Sequence, residues 1–169
     1  MPKITCVLDT ERFSLTRLGK EDEALYVSIH TDAKLMRSAG GAVEAAVAQA
    51  AFARLLKYAE LPALKQHAWV VKEKSDLKVA PIAVAAITAH GDDVEIGIMV
   101  LAAWQGMKVA QEVIAELTEH AFEVHGARRV FTRHLAENLA GAGVMRRLGF
   151  ESMPDVPDSD KYIGWVTGR

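Results

Sequence analysis

The sequence predicts a three-layer α/β domain, with helices on both faces of a central sheet. Three observations lead to this class: helical and strand-like segments alternate along the chain, three strand-like runs lie together in its middle, and a strand–helix–strand unit follows them. The predicted order is β-α-α-β-β-β-α-β-α-β, with one further strand left open, which amounts to six to seven strands and about four helices. A length of 169 residues is typical of one domain, so we expect residues 1–169 to share a single core.

The first third of the chain predicts one strand and two helices. Arg12–Leu18 alternates apolar and polar residues, as a half-buried strand does. From Lys20 to about Met36, apolar residues recur at helical spacing behind a first turn rich in acids, where the helix dipole favours them. Ala42–Glu60 is rich in alanine and poor in charge, which predicts a helix covered on more than one side, and Pro62 follows its end.

The middle of the chain predicts an antiparallel meander. The runs His67–Lys72, Val79–Thr88 and Val94–Leu101 are rich in β-branched residues, and short polar or glycine-containing breaks separate them. Breaks this short join antiparallel neighbours, since a parallel pair needs a long crossover.

The last third predicts that crossover, followed by one more helix and strand. An amphipathic helix over Met107–Val124 ends before Gly126, and Arg129–Leu135 is the strand that follows it. A short helix is predicted over Leu139–Leu148, and one or two short strands around Tyr162–Val166 close the chain.

The composition excludes several classes of protein. Twenty Lys and Arg against 22 Asp and Glu give a net charge of −2, whereas proteins that bind the nucleic acid backbone carry a basic surplus. Cys6 is the only cysteine, which rules out an internal disulfide, and we expect it to be a small apolar filler. The early Asp9 argues against a signal peptide, and the longest uncharged stretch, Val79–Gly91, is too short to span a membrane. The sequence therefore predicts a cytoplasmic protein with neither a nucleic acid nor a membrane as partner.

Several catalytic motifs are missing from the sequence. His120 and His125 are five residues apart, so they do not share one helix face as a metal-binding pair would. The chain holds neither a G-x-S-x-G elbow nor a G-x-x-x-x-G-K-[ST] loop. We therefore expect no metal site and no nucleophilic serine.

One junction predicts an anion site. The strand Glu95–Val100 runs through Ala102–Ala110 into the next helix, and such an entry presents backbone N–H groups at the positive end of the helix dipole. Gln105, Gly106 and Lys108 suit a phosphate loop, since glycine permits close approach and lysine adds a positive charge. An ordinary strand-to-helix turn is the alternative interpretation of these residues.

Three segments carry motifs in a recognisable order. The opening Thr10–Leu18 is followed by Asp22, the central segments read E-I-G-I at Glu95–Ile98 and Q-G-M-K-V-A-Q-E-V-I at Gln105–Ile114, and the last reads E-N-L-A-G-A-G-V-M-R-R-L-G-F at Glu137–Phe150. These motifs resemble those of the GNAT superfamily of acyl-CoA-dependent N-acyltransferases. The resemblance is closest to its RimJ/RimL-type branch, and it covers the chain from Thr10 to Phe150.

The resemblance implies a GNAT-type fold with acetyl-CoA as co-substrate. In that fold the strands at Glu95–Leu101 and Arg129–Leu135 are parallel and splay apart, and the pantetheine arm enters the gap. The residues implied to contact acetyl-CoA are Ile98, Met99 and Val100 for the pantetheine, the N–H groups of Gln105, Gly106, Met107, Lys108, Val109 and Ala110 for the pyrophosphate, and Asn138 on the opposite side.

The resemblance also implies an N-acetyltransferase in which a primary amine, on a protein N-terminus or a small molecule, attacks the thioester directly. Glu95 is the candidate general base, because a carboxylate on a strand beside the cleft is placed to take the ammonium proton. The alternative is a structural carboxylate paired with a neighbouring Lys or Arg. His134, at the end of the partner strand, is a second candidate base, with a strand-end cap as its alternative.

Three residues depart from the family pattern. Lys108 stands where glycine is usual, Gly141 where serine or alanine is usual, and Met145 where many relatives carry a tyrosine. These departures keep a second hypothesis open, a non-catalytic acyl-CoA-binding or regulatory module with a degenerate site. We expect the loops at Arg37–Gly41 and Met153–Asp160 to select the acceptor, and the alanine-rich helix offers a surface for a homodimer.

Overall fold

Eight strands form one mixed sheet in the part of the chain that the computed structural model describes, residues 7–76, 78 and 80–169. The strands are β1 (Val7–Asp9), β2 (Phe13–Arg17), β3 (Gln66–Glu73), β4 (Ala83–His90), β5 (Asp93–Val100), β6 (Arg129–Leu135), β7 (Glu151–Met153) and β8 (Tyr162–Gly168). Their order across the sheet is β1-β2-β3-β4-β5-β6-β8-β7. Neighbours are antiparallel except for β5 and β6, so the predicted meander β3–β4–β5 is confirmed.

Five α-helices accompany the sheet among these residues. They are α1 (Glu23–Thr31), α2 (Ala33–Met36), α3 (Ala45–Ala59), α4 (Val109–His125) and α5 (Leu139–Arg147). The prediction of one helix over Lys20–Met36 is wrong, because Asp32 divides it. The Asp32 backbone is extended, and its carboxylate accepts hydrogen bonds from the N–H groups of Lys34 and Leu35, so Asp32 ends α1 and caps α2. None of these helices is both long and apolar enough to cross a lipid bilayer.

Two short strands, β1 and β7, were not predicted, so the sheet has more strands than the six to seven expected. Each has three residues, which is too few to show the alternation that identifies a strand, and each is defined by pairing with a longer neighbour. The predictions for Cys6, for the N-terminal residues 1–6 and for a strand start at Val79 fall outside the described residues.

Helices pack on both faces of the sheet, which confirms the three-layer arrangement. On one face α4 and α5 cover a core in which Leu117 lies with Trp69 and Ile96. On the other face α1, α2 and α3 cover a second core that includes Phe52 and Val70. Because successive side chains of a strand point to opposite faces, the central strands contribute to both cores.

The parallel strands β5 and β6 pair over only three residues each. Asp93–Glu95 pairs with Arg129–Phe131, and beyond that point β5 stays with β4 as far as Val100 while β6 stays with β8 as far as Leu135. Since each strand follows its antiparallel neighbour, the two separate and leave a cleft in the middle of the sheet. The splayed parallel pair implied by the resemblance is therefore confirmed.

Candidate active site

The cleft between β5 and β6 belongs to a cavity of about 1060 Å³. Its walls come from both halves of the sheet, from the loop before α4, from the start of α5, and from α1, α2 and the turn after α2. Most of the residues predicted for the site line it: Glu95, Ile98, Met99, Val100, Gln105, Gly106, Lys108, Val109, Ala110, His134 and Asn138. The side chain of Met107 is exposed and lies outside the cavity wall.

The loop before α4 contains two left-handed backbone positions. Gly106 has a φ of 78° and Lys108 a φ of 61°, a region that side chains disfavour. This conformation explains why glycine is usual at position 108. It also explains why α4 begins at Val109, two residues later than predicted, since a helix does not continue through a left-handed residue.

The same loop presents a row of backbone donors. The N–H groups of residues 106–111 have no hydrogen-bond acceptor within the described part of the chain, whereas the Gln105 N–H bonds the Ala102 carbonyl. The row lies at the start of a 17-residue helix, where the dipole is positive. These donors suit a diphosphate, so the loop and the cleft together fit the coenzyme A moiety that the resemblance implies.

Gln105 ties this loop to the end of β5. Its side-chain amide donates a 3.1 Å hydrogen bond to the backbone carbonyl of Val100. The strand residues Ile98 and Met99 are half-buried on the cavity wall. Beside them Gly97 leaves open space, because a Cβ atom there would have no neighbour within 4 Å. The edge of β5 is therefore accessible to an extended ligand.

Glu112, in the first turn of α4, is held by the opening segment of the chain. Its carboxylate accepts hydrogen bonds from the Thr10 hydroxyl at 2.6 Å and from the backbone and side chain of Arg12, both at 2.8 Å. Arg12 also donates to the Met107 carbonyl at 3.0 Å, so it holds the loop on both sides. Burial alone raises the pKa of Glu112, but these hydrogen bonds outweigh it and lower the pKa below its ordinary value. We call Thr10, Arg12 and Glu112 the loop clamp.

The opposite wall of the cavity begins at Asn138, which caps α5. Its side-chain oxygen accepts a 2.9 Å hydrogen bond from the Gly141 N–H. A Cβ atom on Gly141 would lie 2.9 Å from the Asn138 amide nitrogen and 3.2 Å from the His134 ring, which explains the glycine at this position. Met145 is buried in the core, so its departure from the family pattern has a packing reason.

Glu95 lies where β5 and β6 separate, and both of its carboxylate oxygens have partners. One accepts a 2.7 Å hydrogen bond from Arg133 Nε, and the other lies 2.9 Å from His90 Nε2. Arg133 also donates to the Asp158 carboxylate and the Pro157 carbonyl. Burial lowers the pKa of Arg133, but its two carboxylate partners outweigh burial and raise it. Glu95 thus has an arginine partner and also faces the cavity.

His134 uses both of its ring nitrogens within the protein. Nδ1 lies 2.8 Å from the Leu135 carbonyl, to which it donates, and Nε2 accepts a 3.0 Å hydrogen bond from the Trp165 indole N–H. This pattern defines the neutral tautomer with its proton on Nδ1. His134 is buried, and taking up a substrate proton would break its bond to Trp165, so the geometry favours a structural role.

Sequence analysis did not identify His90, Arg133 or Tyr26 as residues of the site. The two-residue turn between β4 and β5 brings His90 next to Glu95, and that turn was visible as a glycine-containing break. Arg133 meets Glu95 only through the register of β5 and β6. Tyr26 stacks on His30 with ring centroids 4.0 Å apart, and burial raises the pKa of its phenol. No signal in the sequence placed α1 over the cleft.

The fold and the site together define an acyl-CoA-dependent acyltransferase: a splayed parallel pair borders the cleft, and free N–H groups open the next helix. A model of the acetyltransferase (GNAT) domain matches residues 12–151. The chain therefore belongs to the GNAT acetyltransferase family, as the resemblance predicted. It is an enzyme of acetyl transfer, and acetyl-CoA is its co-substrate.

Solved structures share this fold over nearly the whole chain. An acetyltransferase from Agrobacterium tumefaciens str. C58 aligns with a TM-score of 0.82 and 20% identity, over 96% of this chain and 94% of that one. RimL, a ribosomal L7/L12 alpha-N-protein acetyltransferase solved with coenzyme A, aligns with a TM-score of 0.76 and 13% identity, over 96% and 97%. Spermidine N-acetyltransferase from Vibrio cholerae, solved with CoA and spermine, aligns with a TM-score of 0.76 and 12% identity. The alignment covers 92% of this chain and 95% of that one. The search of curated proteins found no significant match.

At these identities the likeness concerns the fold. The presence of RimL among the similar structures agrees with the RimJ/RimL-type resemblance of the motifs.

Proposed function

We propose that the enzyme acetylates a primary amine, and that the amine attacks the thioester of acetyl-CoA directly. One observation carries the proposal: a single cavity joins the loop with free N–H groups to Glu95, across the gap between β5 and β6. A ligand that spans this cavity has its phosphates on the loop and its thioester near the point where the strands separate. Two similar structures are named for amine acceptors, which supports the proposal.

Backbone groups provide most of the contacts to acetyl-CoA in this proposal. Those of Ile98, Met99 and Val100 on the open edge of β5 pair with the pantetheine arm. The N–H groups of residues 106–110 bind the pyrophosphate. Asn138 bounds the opposite side, and Lys108 adds a positive charge beside the phosphates.

The protein's own contribution is positioning and the removal of a proton. Glu95 takes a proton from the substrate ammonium, directly or through water, and the free amine then forms a bond to the thioester carbonyl carbon. As the carbon–sulfur bond breaks, the proton still carried by the nitrogen passes to the thiolate. The products are the amide and free coenzyme A, and no bond to the protein is formed.

Glu95 suits this role because Arg133 and His90 hold its carboxylate in place. The Arg133 guanidinium bonds one carboxylate oxygen at 2.7 Å and so fixes the orientation of the side chain. His90 holds the second oxygen at 2.9 Å and so restricts the rotation of the side chain. Glu95 also lines the cavity, so a bound amine has access to it.

Glu95→Gln is expected to lower kcat by about 100-fold or more while the affinity for acetyl-CoA is unchanged. The backbone contacts to the co-substrate are not altered, and glutamine keeps an oxygen for the hydrogen bond from Arg133. Steady-state thiol release over a pH series and calorimetric titration with acetyl-CoA measure the two effects.

Asp93→Asn is the matched control, because Asp93 lies two residues earlier on β5 and outside the cavity wall. A hydrogen bond from Arg129 lowers the pKa of Asp93 against the effect of burial. Its neutralisation should lower the free energy of unfolding by about 1–3 kcal/mol without changing kcat. A Glu95→Gln enzyme with wild-type kcat would reject Glu95 as the base.

The proposed function is tested in two steps on the purified protein. A melting curve and calorimetry first measure binding of acetyl-CoA, which at ~100 times its Kd stabilises a protein by about 2.7 kcal/mol. Thiol release is then measured against a panel of peptide N-termini and small amines. Release with an amine supports the proposal. Binding without release on any amine would favour the non-catalytic acyl-CoA-binding module.

A further inference from the structure

The wall of the cavity is unbalanced in charge. Among the described residues that line it, Glu95 is the only carboxylate. Five lining residues carry permanent positive charges: Lys34, Arg37, Lys108, Arg133 and Arg147. The chain as a whole has a net charge of −2, so the basic character belongs to the cavity rather than to the protein.

Three of these five cations are accounted for, either by the phosphates of acetyl-CoA in our proposal or by ion pairs within the protein. Lys108 lies in the loop with free N–H groups, and Arg147, on α5, donates a 3.0 Å hydrogen bond to Gln111 in the first turn of α4. Both are therefore at the end of the cavity that the phosphates of acetyl-CoA occupy in our proposal. Arg133 is neutralised by its ion pairs with Glu95 and Asp158.

Lys34 and Arg37 are left, and both are exposed residues on the wall that α2 and the turn after it contribute to the cavity. Neither side chain has a hydrogen-bond or ion-pair partner in the described part of the chain. The nearest acid along the chain, Asp32, uses its carboxylate to cap α2. Two unneutralised positive charges therefore face the acceptor end.

A chain of contacts links the turn that begins at Arg37 to Glu95. The turn after α2 reaches β8, since the Tyr162 hydroxyl lies 2.7 Å from where a Cβ atom of Gly40 would be. The Tyr162 ring lies 5.3 Å from the Arg133 guanidinium, which bonds Glu95 at 2.7 Å. Arg37 begins this turn, so its charge is on the side of the cavity where the amine is expected to enter.

The charge pattern separates classes of amine. A polyamine brings further positive charges, and the one carboxylate of the wall is already paired with Arg133. An amine that also carries a carboxylate can place the nitrogen beside Glu95 and the anion against Lys34 and Arg37.

We propose that the acceptor is an amine that bears a carboxylate, and that Lys34 and Arg37 bind this carboxylate. The inference rests on the proposed function and names the substrate class of the same site. Two sources offer this chemistry, a small amino acid and the N-terminus of an acidic peptide.

The test compares acceptors that differ only in whether they carry carboxylates or the corresponding amides. One pair is 4-aminobutyrate and its amide, and the other is Ser-Glu-Glu-Gly-amide and Ser-Gln-Gln-Gly-amide. We expect kcat/KM at low salt to be about tenfold or more higher for the acid than for the amide in at least one pair. One charge-assisted hydrogen bond changes an affinity by about this factor. The pair that responds identifies the source, and added salt should reduce the preference.

The double variant Lys34→Gln with Arg37→Gln should reduce the preference to near one and leave the acetyl-CoA affinity unchanged. Lys57→Gln removes an exposed charge of α3 outside the cavity and should preserve the preference. Equal rates for acid and amide in both pairs, or a preference for spermidine, would overturn the inference while the proposed function stands.

A binding measurement keeps the two proposals distinguishable. If no acceptor releases thiol, the proposed function fails, and calorimetry of the same four compounds on the protein saturated with coenzyme A decides the inference. Tighter binding of the acids, lost in the double variant, supports it. Equal binding of acids and amides overturns it.

Discussion

Lys108 combines backbone strain with a positive charge. Its left-handed conformation, with a φ of 61°, costs a residue other than glycine roughly 1–2 kcal/mol. Lys108 also belongs to the wall of the cavity, in the loop that carries the free N–H groups. The strain lowers the stability of the free protein, whereas in the proposed binding mode the charge strengthens acetyl-CoA binding, so one substitution should raise the stability and lower the affinity.

Lys108→Gly is expected to raise Tm and to weaken acetyl-CoA binding. Relief of about 1 kcal/mol of strain corresponds to roughly 2–4 °C for a chain of this size. Loss of a charge-assisted bond raises the Kd about tenfold and flattens its dependence on salt. A melting curve of the free protein and calorimetric titrations at two salt concentrations measure these effects.

Lys108→Asn separates the two contributions, because asparagine tolerates the left-handed conformation but carries no charge. It should reproduce the loss of affinity, with a smaller rise in Tm than glycine gives. Tighter binding of acetyl-CoA by either variant would mean that Lys108 obstructs the site, which would favour the degenerate-site hypothesis.

The sequence identified residues that line the cavity but not the partners that define their chemistry. Motif spacing was enough to predict that Glu95 and Asn138 line the cleft, because each motif spans a strand or a helix and the loop next to it along the chain. Arg133 meets Glu95 across 38 positions, and Trp165 meets His134 across 31, through strand pairing. Such contacts depend on register, which a single sequence leaves open.

At the level of elements, the start of α4 depends on the segment before β2. The loop clamp joins residues about 100 positions apart and brings the first motif of the sequence against the central one. Arg12 contacts both Glu112 and the Met107 carbonyl, so the clamp restrains the loop that carries the free N–H groups.

Glu112→Gln is expected to lower the free energy of unfolding by about 1–3 kcal/mol and to raise the Kd of acetyl-CoA several-fold. The amide loses the charge-assisted bonds from Thr10 and Arg12, and the loop then loses the restraint that aligns its donors. Urea unfolding and calorimetry measure the two effects.

Glu116→Gln on the same helix is the control. Burial and the nearby charges of Asp9, Glu119 and Glu123 raise the pKa of Glu116. Its neutralisation therefore removes a charge that is repelled by its neighbours and breaks no hydrogen bond or ion pair among the described residues. It should be neutral or slightly stabilising and should leave the Kd unchanged. A Glu112→Gln protein that is destabilised but binds acetyl-CoA normally would contradict the positioning role of the loop clamp.

The elements that sequence analysis missed are those whose boundaries depend on tertiary contacts. β1 and β7 exist as strands because β2 and β8 pair with them. The break at Asp32 lies inside a segment whose apolar spacing continues across it, and only the cap formed by its carboxylate ends α1 there. The long elements, β3, β4, β5 and α4, were predicted with small boundary shifts because their periodicity is extended.

For the whole molecule, a cluster of histidines between the sheet and α4 makes stability depend on pH. His67 on β3 lies near His125, with ring centroids 5.6 Å apart, and His125 lies 5.1 Å from His120. Burial, reinforced by the Arg17 guanidinium and the neighbouring histidines, lowers the pKa of His67 to about 3 and that of His120 to about 4. Burial also lowers the pKa of His125.

The free energy of unfolding is expected to fall as the pH drops below about 6.5. The unfolded chain takes up protons near that pH, whereas His120 in the folded protein stays neutral down to about 4. The contribution of the histidines to the free energy of unfolding is therefore complete above about pH 7, and it is lost as the pH falls toward the folded pKa values of about 4 for His120 and about 3 for His67. Three histidines give a slope of at most about 4 kcal/mol per pH unit. Urea unfolding between about pH 7.5 and about pH 5 measures the slope.

His67→Leu should reduce this slope by roughly 1.4 kcal/mol per pH unit, the effect of one proton. At neutral pH it should cost little, because the ring nitrogens of His67 have no hydrogen-bond partner among the described residues. Lys57→Gln changes a surface charge away from the cluster and should keep the wild-type slope. An unchanged slope in His67→Leu would exclude the cluster as the source of acid sensitivity.

The donors assigned to the phosphates belong to the main chain, and every residue except proline carries such a group. Mutations along residues 106–111 therefore alter the shape and charge of the loop while the donors persist, and a change to proline removes one. The lysine at position 108 therefore keeps its backbone N–H group while it changes the strain and the charge of the loop. In the proposed site, by contrast, the acceptor end depends on side chains such as Lys34 and Arg37, so single mutations there would change which amine is bound. A backbone loop that binds the co-substrate can in this way be combined with different side chains at the acceptor end.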